Sequence, residues 1–244
     1  RWPPPVKPPF AKWASRVMKE PEPAYYSSLT PFRDWFGQGL PILTWHKLGP
    51  RPRGVRLKGM YLSAERFARQ LVELRQAGFR SVTLDQAVPA EDNPHRQVVL
   101  TFDDGYVNVL RYGLEPLACC GYRAIQFLVA DRLGQSNVWD AAGGEVPEPL
   151  MDAAQVRQWL AAGQEIGSHT LTHPDLTRLE PAQARKEITA SKRKLEDLFG
   201  RSVDHFCYPY GSWNPRVRDL VAEAGYRTAC TTDFGINRPA GSPF

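Results

Sequence analysis

Long apolar runs are absent from this chain of 244 residues. None approaches the roughly 20 residues that a membrane-spanning helix needs, and no signal peptide is present. The sequence therefore predicts no transmembrane segment. Because the chain begins with Arg1 and not with Met, we expect that an upstream signal or anchor has been removed.

Cysteine is scarce, and the spacing of the cysteines matches neither a redox motif nor a zinc finger. The chain has four of them: Cys119, Cys120, Cys207 and Cys230. The first two are direct neighbours, which makes them poor disulfide partners for each other in a helix. We interpret all four as mostly buried thiols, so the cysteines do not decide the compartment.

Clustered positive charge is also lacking. The formal net charge of +5 is modest, and no block of Lys and Arg is interleaved with aromatic residues. The nearest basic run, residues 192–194, lies on a predicted helix that also carries Glu187, Glu196 and Asp197. Acidic and basic residues mixed along one helix are typical of a solvated face. The sequence therefore predicts no nucleic-acid partner, and nothing in it specifies an oligomeric state.

The chain does contain a repeated unit of an amphipathic helix, a glycine that ends it and a short apolar strand. Helices that alternate with such strands predict parallel βαβ units. Strand candidates lie near residues 42, 81, 98, 125, 165, 205 and 228. We expect an α/β protein with a distorted (β/α)7 barrel, complete or incomplete. Periodicity alone leaves an open doubly wound sheet as the alternative.

Two segments depart from the repeated unit. Residues 1–38 are rich in proline, and we interpret them as an N-terminal extension or linker that wraps the surface of a domain formed by residues 39–244. Residues 134–149 form a long irregular insert that contains Trp139. A loop of this length is either functional or a surface decoration, and the sequence favours neither.

Two carboxylates end one of the predicted strands. Residues 98–106 read as a buried apolar strand followed by a turn that carries Asp103 and Asp104. Chemistry in parallel α/β proteins gathers at the carboxyl ends of strands. Two acids there can divide the work, since one can bind a metal while the other moves a proton. A polar turn with nothing bound is the alternative.

Two histidines follow another predicted strand. His169 and His173 lie four residues apart, and Pro174 disfavours a helix through them, so we place both on the loop that leaves the strand. Parallel strands would bring Asp104 to the same face. Two imidazoles and one carboxylate suit zinc, and also iron, cobalt, nickel or manganese. A third cluster, residues 206–212, follows the strand near 205 and by itself reads as a plain turn.

Together the three clusters resemble the polysaccharide deacetylases of carbohydrate esterase family 4, the NodB-homology domain. The matching pieces are residues 101–105 (TFDDG), 168–173 (SHTLTH) and 208–211 (YPYG), and the resemblance runs from about residue 41 to 237. It implies a distorted barrel and a metal-dependent hydrolase that removes N-acetyl groups from an N-acetylglucosamine-containing polysaccharide. Exopolysaccharide, peptidoglycan and chitin-like chains are the implied substrates. Such a substrate implies a protein of the periplasm or cell envelope, or a secreted one.

The resemblance also implies roles for individual residues. Three of them would bind one divalent metal, with zinc expected first: Asp104, His169 and His173. Asp103 would be the general base that takes a proton from the attacking water. The backbone N–H of Tyr210 would stabilise the oxyanion. Candidates for contact with the substrate are Tyr208, Pro209 and Trp139.

Two departures from the family pattern matter. Many members carry an arginine that orients the base, and Cys207 stands at that position here. The family also often supplies a general acid from a late Leu-x-His, whereas no histidine follows His205. Either the acid lies beyond Phe244 or another group serves. His46, at the end of the first predicted strand, is a candidate for the acid, and a structural hydrogen bond is its alternative role. The third motif without arginine resembles the exopolysaccharide branch, which acts on β-1,6-linked N-acetylglucosamine.

Two other functions remain open on the same residues. One is a deacylase that acts on an acetyl ester, or on an amide other than that of N-acetylglucosamine. The other is a glycan-binding domain whose catalysis has decayed, which the missing arginine and the missing late histidine would explain. The intact Asp103 favours an enzyme, because binding alone needs no base.

Overall fold

The computed structural model describes residues 9–19, 28–29, 32–87 and 96–238. Its helices, in chain order, are α1 (Phe10–Lys19), α2 (Arg33–Phe36), α3 (Ala64–Gln76), α4 (Val107–Cys120), α5 (Ala153–Ala161), α6 (Pro181–Phe199) and α7 (Pro215–Glu223). Its strands are β1 (Ile42–Trp45), β2 (Lys47–Leu48), β3 (Tyr61–Leu62), β4 (Arg80–Ser81), β5 (Gln97–Phe102), β6 (Ile125–Leu128), β7 (Glu165–Ser168), β8 (His205–Cys207) and β9 (Thr228–Cys230).

Seven of these strands form one parallel sheet. Their order is β1-β5-β6-β7-β8-β9, and β4 pairs with the start of β5. These are the seven strands predicted near residues 42 to 228, so that prediction is confirmed. β2 and β3 form a separate ladder of two residues each, which the sequence analysis did not predict because such short strands carry no alternation of apolar and polar residues.

The sheet curls until its two edges meet. Leu40, just before β1, donates its N–H to the carbonyl oxygen of Asn237 over 2.9 Å, and Asn237 returns the bond over 3.2 Å. Across the described ranges, β1 and β9 form no ladder with each other, and this antiparallel bridge lies outside both strands. The architecture is therefore a distorted, incompletely closed (β/α)7 barrel, and not the open doubly wound sheet.

Alternate residues of β5 serve the two faces of the sheet, as the period of a strand requires. Val98, Leu100 and Phe102 join the large apolar cluster that also includes buried residues of the helices. Val99 joins a smaller cluster with Phe127, Cys207 and other residues of the sheet. Because both faces are buried, the strand reads in the sequence as a continuous apolar run.

Local sequence explains where the helices begin and end. Ser63 accepts the N–H of Arg66 over 3.2 Å ahead of α3, and Asn214 accepts that of Val217 over 2.9 Å ahead of α7. Gly121 ends α4 with a left-handed φ of +66°, which glycine adopts without steric cost. Among the described residues, no helix is both long and apolar enough to cross a membrane.

The N-terminal extension packs on the barrel wherever the structure describes it. Trp13 and Ala14 of α1 are buried in the main apolar cluster, and the ring of Phe36 contacts Phe79 edge to face at 5.9 Å. The sequence analysis did not predict α1, although the stretch between Pro9 and Pro21 lacks the proline that would break it. Residues 1–8 of the predicted proline-rich extension lie outside the described residues. The boundary between residues 38 and 39 stays a prediction.

Gly167 of β7 lies where a methyl group has no space. A Cβ there would lie 2.5 Å from the ring of Phe127 and 2.9 Å from the carbonyl oxygen of His205. We expect Gly167→Ala to lower the free energy of unfolding by about 1–3 kcal/mol, because the neighbouring strands would have to move. Urea denaturation would measure the loss.

A second glycine provides the control for that substitution. A Cβ on Gly59 would meet nothing within 4 Å, so Gly59→Ala should change the free energy of unfolding by less than about 0.5 kcal/mol. Equal losses in the two variants would contradict the steric explanation.

Candidate active site

Two carboxylates lie where β5 ends. Asp103 continues the strand pairing, since its N–H donates to the carbonyl oxygen of Trp45 over 3.1 Å. Asp104 and Gly105 then adopt left-handed backbone, with φ of +72° and +88°. This turn directs the neighbouring side chains to different partners: Asp103 faces His46, and Asp104 faces the histidines that follow β7. Both aspartates are only 3% exposed.

Both histidines lie on the loop that leaves β7, as predicted. Thr170 and His173 each have φ of +69°, so the loop is not a helical turn. The N–H of His173 donates to Oγ1 of Thr170 over 3.0 Å. The rings of His169 and His173 lie 4.8 Å apart between centroids. The pair thus converges through a strained loop.

Three donor atoms converge at this end of the sheet. Asp104 Oδ1 lies 3.5 Å from Nε2 of His169 and 3.2 Å from Nε2 of His173. Ligand atoms about 2.0–2.2 Å from a tetrahedral metal lie roughly 3.3–3.6 Å from one another. Asp104 Oδ1 is also buried and forms no hydrogen bond with the part of the chain that the structure describes. The donor types and their spacing therefore fit one divalent metal.

A backbone carbonyl fixes the orientation of His169. The register that pairs Ser168 with Phe206 brings Cys207 beside it, and Nδ1 of His169 lies 2.7 Å from the Cys207 carbonyl oxygen. Because a carbonyl oxygen only accepts, Nδ1 carries the proton and Nε2 turns its lone pair toward Asp104. Outer partners of this kind set the tautomer of metal-binding histidines.

The two adjacent aspartates have opposite pKa shifts. Burial raises the pKa of Asp103 to about 6, against the lowering effect of His46. Burial also acts to raise the pKa of Asp104, but the imidazoles of His173 and His169 outweigh it and hold that pKa well below its usual range. Burial lowers the pKa of His169 to about 3, so its ring is neutral and able to bind a metal. The environment thus distinguishes two neighbouring carboxylates.

His46 and Cys207 both adjoin Asp103. Trp45 pairs with Phe102 in register, so His46 follows beside Asp103, and its Nε2 lies 3.6 Å from Oδ2 of that aspartate. The sulfur of Cys207 lies within 4.8 Å of a carboxylate oxygen of Asp103. Burial and the charge of Asp103 raise the pKa of the Cys207 thiol well above its ordinary value, so the thiol stays neutral. Of these two neighbours of Asp103, the one able to carry a positive charge is therefore His46.

Aromatic rings enclose His173 on two sides. Trp139 of the insert stacks on it, with ring centroids 4.4 Å apart and an interplanar angle of 21°. Tyr210, whose φ is +61°, packs against it nearly edge to face at 4.7 Å and remains 54% exposed. The insert of residues 134–149 thus forms a wall of the site and is more than a surface decoration.

Tyr208 and Pro209, predicted to contact the substrate, are both buried. The ring of Tyr208 packs nearly edge to face on Phe206 at 5.3 Å. Within residues 208–211, Tyr210 is the aromatic residue exposed to solvent. A substrate contact from Tyr208 or Pro209 stays a prediction.

The sequence analysis missed Glu187. It assigned this residue to a solvated helix face, but the Glu187 carboxylate accepts the backbone N–H groups of Leu171 and Thr172 over 2.9 and 3.0 Å. The solvated-face interpretation is therefore wrong for Glu187. An acidic residue inside a helix carries no sequence signal of a partner on a distant loop, so pattern alone could not have identified it.

Comparison with known proteins assigns the family. A family model described as polysaccharide deacetylase matches residues 90–229, more than half of the chain. The chain belongs to this family. The resemblance that the three sequence clusters indicate is therefore confirmed.

Two relatives match parts of this chain. The chitooligosaccharide deacetylase of Bradyrhizobium sp. (strain ANU 289) is 31% identical over 131 residues, which are 53% of this chain and 53% of that protein. YxkH of Bacillus subtilis (strain 168), which is named for the same family, is 24% identical over 200 residues, 80% of this chain and 65% of that protein. The chain thus spans between about half and two thirds of the length of these relatives.

Solved structures have the same fold. IcaB from Ammonifex degensii superposes with a TM-score of 0.72 at 26% identity, covering 85% of this chain and 90% of its own. The deacetylase PplD from Streptococcus pyogenes, solved in complex with acetate, superposes with a TM-score of 0.67 at 18% identity, covering 85% of this chain and 96% of its own. The predicted barrel of the deacetylase type is confirmed.

The adjacent aspartates should differ in their effect on metal binding. We expect Asp104→Asn to lower the zinc affinity by at least about 100-fold, because it removes a charged donor that converges with two imidazoles. Asp103→Asn is the matched control, one residue earlier, and should change the affinity by less than about 10-fold. Competition with a chromophoric chelator on the apoproteins would measure both. If the two variants bound zinc with equal affinity, Asp104 would not be a ligand.

Proposed function

We propose that this chain is a metal-dependent carbohydrate deacetylase that removes N-acetyl groups from an N-acetylglucosamine-containing polysaccharide. The observation that carries the proposal is the position of Asp103. It is a separate buried carboxylate beside the converging donors of Asp104, His169 and His173. A site that only bound a metal would not need this second acid, whereas hydrolysis needs a base.

Asp104, His169 and His173 hold the metal in this proposal. Zinc is the metal we propose, because a few imidazole and carboxylate ligands with one position left open are typical of catalytic zinc sites. Cobalt, nickel, iron and manganese accept the same ligands. When bound, the cation supplies a Lewis acid and lowers the pKa of a water molecule.

Side chains of this protein move the protons. Asp103 takes a proton from the water whose oxygen attacks the acetyl carbon. His46 gives a proton to the amide nitrogen as the carbon–nitrogen bond breaks, so that acetate and a free amine leave. The backbone N–H of Tyr210 donates to the oxyanion that forms on the acetyl oxygen. The 3.6 Å contact between His46 and Asp103 supports this division, since the proposed acid lies beside the proposed base.

The substrate class draws on the family and on the aromatic rings of the site. The matched protein from Bradyrhizobium is named a chitooligosaccharide deacetylase. Trp139 and Tyr210 flank His173, and flat apolar ring faces of this kind suit sugar rings. Exopolysaccharide, peptidoglycan and chitin-like chains are the proposed substrates. They imply a protein of the periplasm or cell envelope, or a secreted one.

Metal removal tests the reaction class. We expect one zinc per chain and acetate release from N-acetylglucosamine oligomers. Release should fall by at least about 100-fold after chelation and return on addition of zinc. Comparing β-1,6- and β-1,4-linked oligomers would identify the linkage. Release from acetylated xylan alone would point to a different acyl substrate. Zinc binding without release from any of these would favour a glycan-binding domain whose catalysis has decayed.

Hydrolysis of an amide should depend on both His46 and Asp103, whereas hydrolysis of an activated ester should depend mainly on Asp103. The amine that leaves from an amide needs a proton, whereas the phenolate that leaves from 4-nitrophenyl acetate does not. We expect His46→Ala to lower kcat for the oligomer by about 10²–10⁴-fold and for the ester by less than about 10-fold. Asp103→Asn should lower both, because both reactions need an activated water.

Steady-state kinetics on both substrates would measure these effects. Asp219→Asn, at an exposed position of α7, is the control and should leave both rates unchanged. Equal losses on the two substrates for His46→Ala would assign His46 a structural role and leave the acid to another group.

A further inference from the structure

Glu187 joins α6 to the loop that carries both histidines. Its Oε2 accepts the N–H groups of Leu171 and Thr172 over 2.9 and 3.0 Å, and its Oε1 accepts the hydroxyl of Thr172 over 2.8 Å. One half-buried carboxylate thus receives three hydrogen bonds from two consecutive residues. Those residues lie midway between His169 and His173 along the chain. Hydrogen bonds to an ionised acceptor are stronger than those between neutral groups.

The loop needs such an anchor because its backbone is strained. Its two left-handed residues each have φ of +69°, a region that residues other than glycine rarely occupy. On the other side, the carbonyl oxygens of Thr170 and Leu171 accept the N–H groups of Ala130 and Asp131 over 3.0 and 2.9 Å. The loop is therefore clamped between the segment that follows β6 and the carboxylate on α6.

The same face of α6 also fixes the end of β7. The hydroxyl of Ser191, one turn beyond Glu187, lies 2.8 Å from the hydroxyl of Ser168. Residues four apart lie on one face of a helix, so both contacts come from the same side of α6. The adjacent Ile188 is fully buried and secures that side in the core. His169 is thus bracketed by two contacts with one well-packed helix.

We propose that Glu187 is a positioning residue for metal binding. It holds the loop in the shape that brings the imidazole nitrogens of His169 and His173 to Asp104 before an ion arrives. Glu187 acts through the backbone between the histidines and not by contact with the ion. A site already in its binding geometry loses less conformational freedom on binding, so it binds more tightly. The inference rests on the proposed function, because it takes the two histidines as ligands.

Substitution of Glu187 tests the inference on apoprotein. Glu187→Ala leaves two loop N–H groups without their acceptor, and we expect the zinc affinity to fall by about 10- to 100-fold, as it does when outer partners of ligands are removed. Glu187→Gln keeps one acceptor oxygen and should recover part of the loss. Competition with a chromophoric chelator would measure the affinity, and thermal unfolding of the same apoproteins would measure stability.

Glu196 supplies a matched control on the same helix. It accepts the backbone N–H of Val203 over 3.0 Å and pairs with Lys192 at 3.0 Å. Glu196→Ala removes a comparable tie away from the histidine loop, so it should lower thermal stability without changing the zinc affinity. A loss of affinity confined to the Glu187 variants would separate positioning of the ligands from general stabilisation.

The outcomes distinguish this inference from the proposed function. Wild-type protein that binds no zinc would overturn both. Wild-type binding with unchanged affinity in Glu187→Ala would overturn the positioning role and leave the proposed function intact. If Glu187→Ala does not fold, Glu187→Gln and Thr172→Val, which removes only the hydroxyl bond, give the measurement. Unchanged affinity in both of these variants would also overturn the positioning role.

Discussion

Left-handed backbone at residues other than glycine is the constraint on which the site depends. Four such residues follow the carboxyl ends of β5, β7 and β8, with φ between +61° and +72°: Asp104, Thr170, His173 and Tyr210. Each costs on the order of 1–3 kcal/mol, so it persists only where surrounding contacts over-determine the backbone. An extended chain would send successive side chains to opposite faces. The sharp turns instead direct neighbouring side chains toward particular groups. Asp103 therefore faces His46, whereas the adjacent Asp104 faces the two histidines that follow β7.

The parallel sheet supplies the partners that these turns need. Register between β1 and β5 puts His46 beside Asp103, and register between β7 and β8 puts Cys207 beside His169. Burial then acts on both carboxylates, and a buried charge persists only if it is compensated. Asp104 has two imidazoles within 3.5 Å, whereas Asp103 has one at 3.6 Å. The opposite pKa shifts of the two aspartates follow from this difference.

The features that could be predicted from the sequence are local ones. Strand positions, the helix caps and the location of the three clusters at strand ends all follow from periodicity and turn signals within a few residues. Contacts between distant parts could not be predicted. Barrel closure depends on the bridge between Leu40 and Asn237, and an open sheet would have the same periodicity. Glu187 escaped detection for the same reason, since the charge pattern of a helix describes that helix and not the loop packed on it.

The neutral thiol of Cys207 cannot balance the negative charge of Asp103, the candidate base. An arginine at this position, as in the family pattern, would keep a permanent positive charge near the carboxylate and lower its pKa. The protonated thiol contributes no charge, and burial raises the pKa of Asp103 to about 6. His46, 3.6 Å away, is then the neighbour whose charge can balance the carboxylate. Unlike a guanidinium, which stays protonated, an imidazole can both accept and donate a proton. His46 can therefore be the proposed acid and also the neighbour of the proposed base.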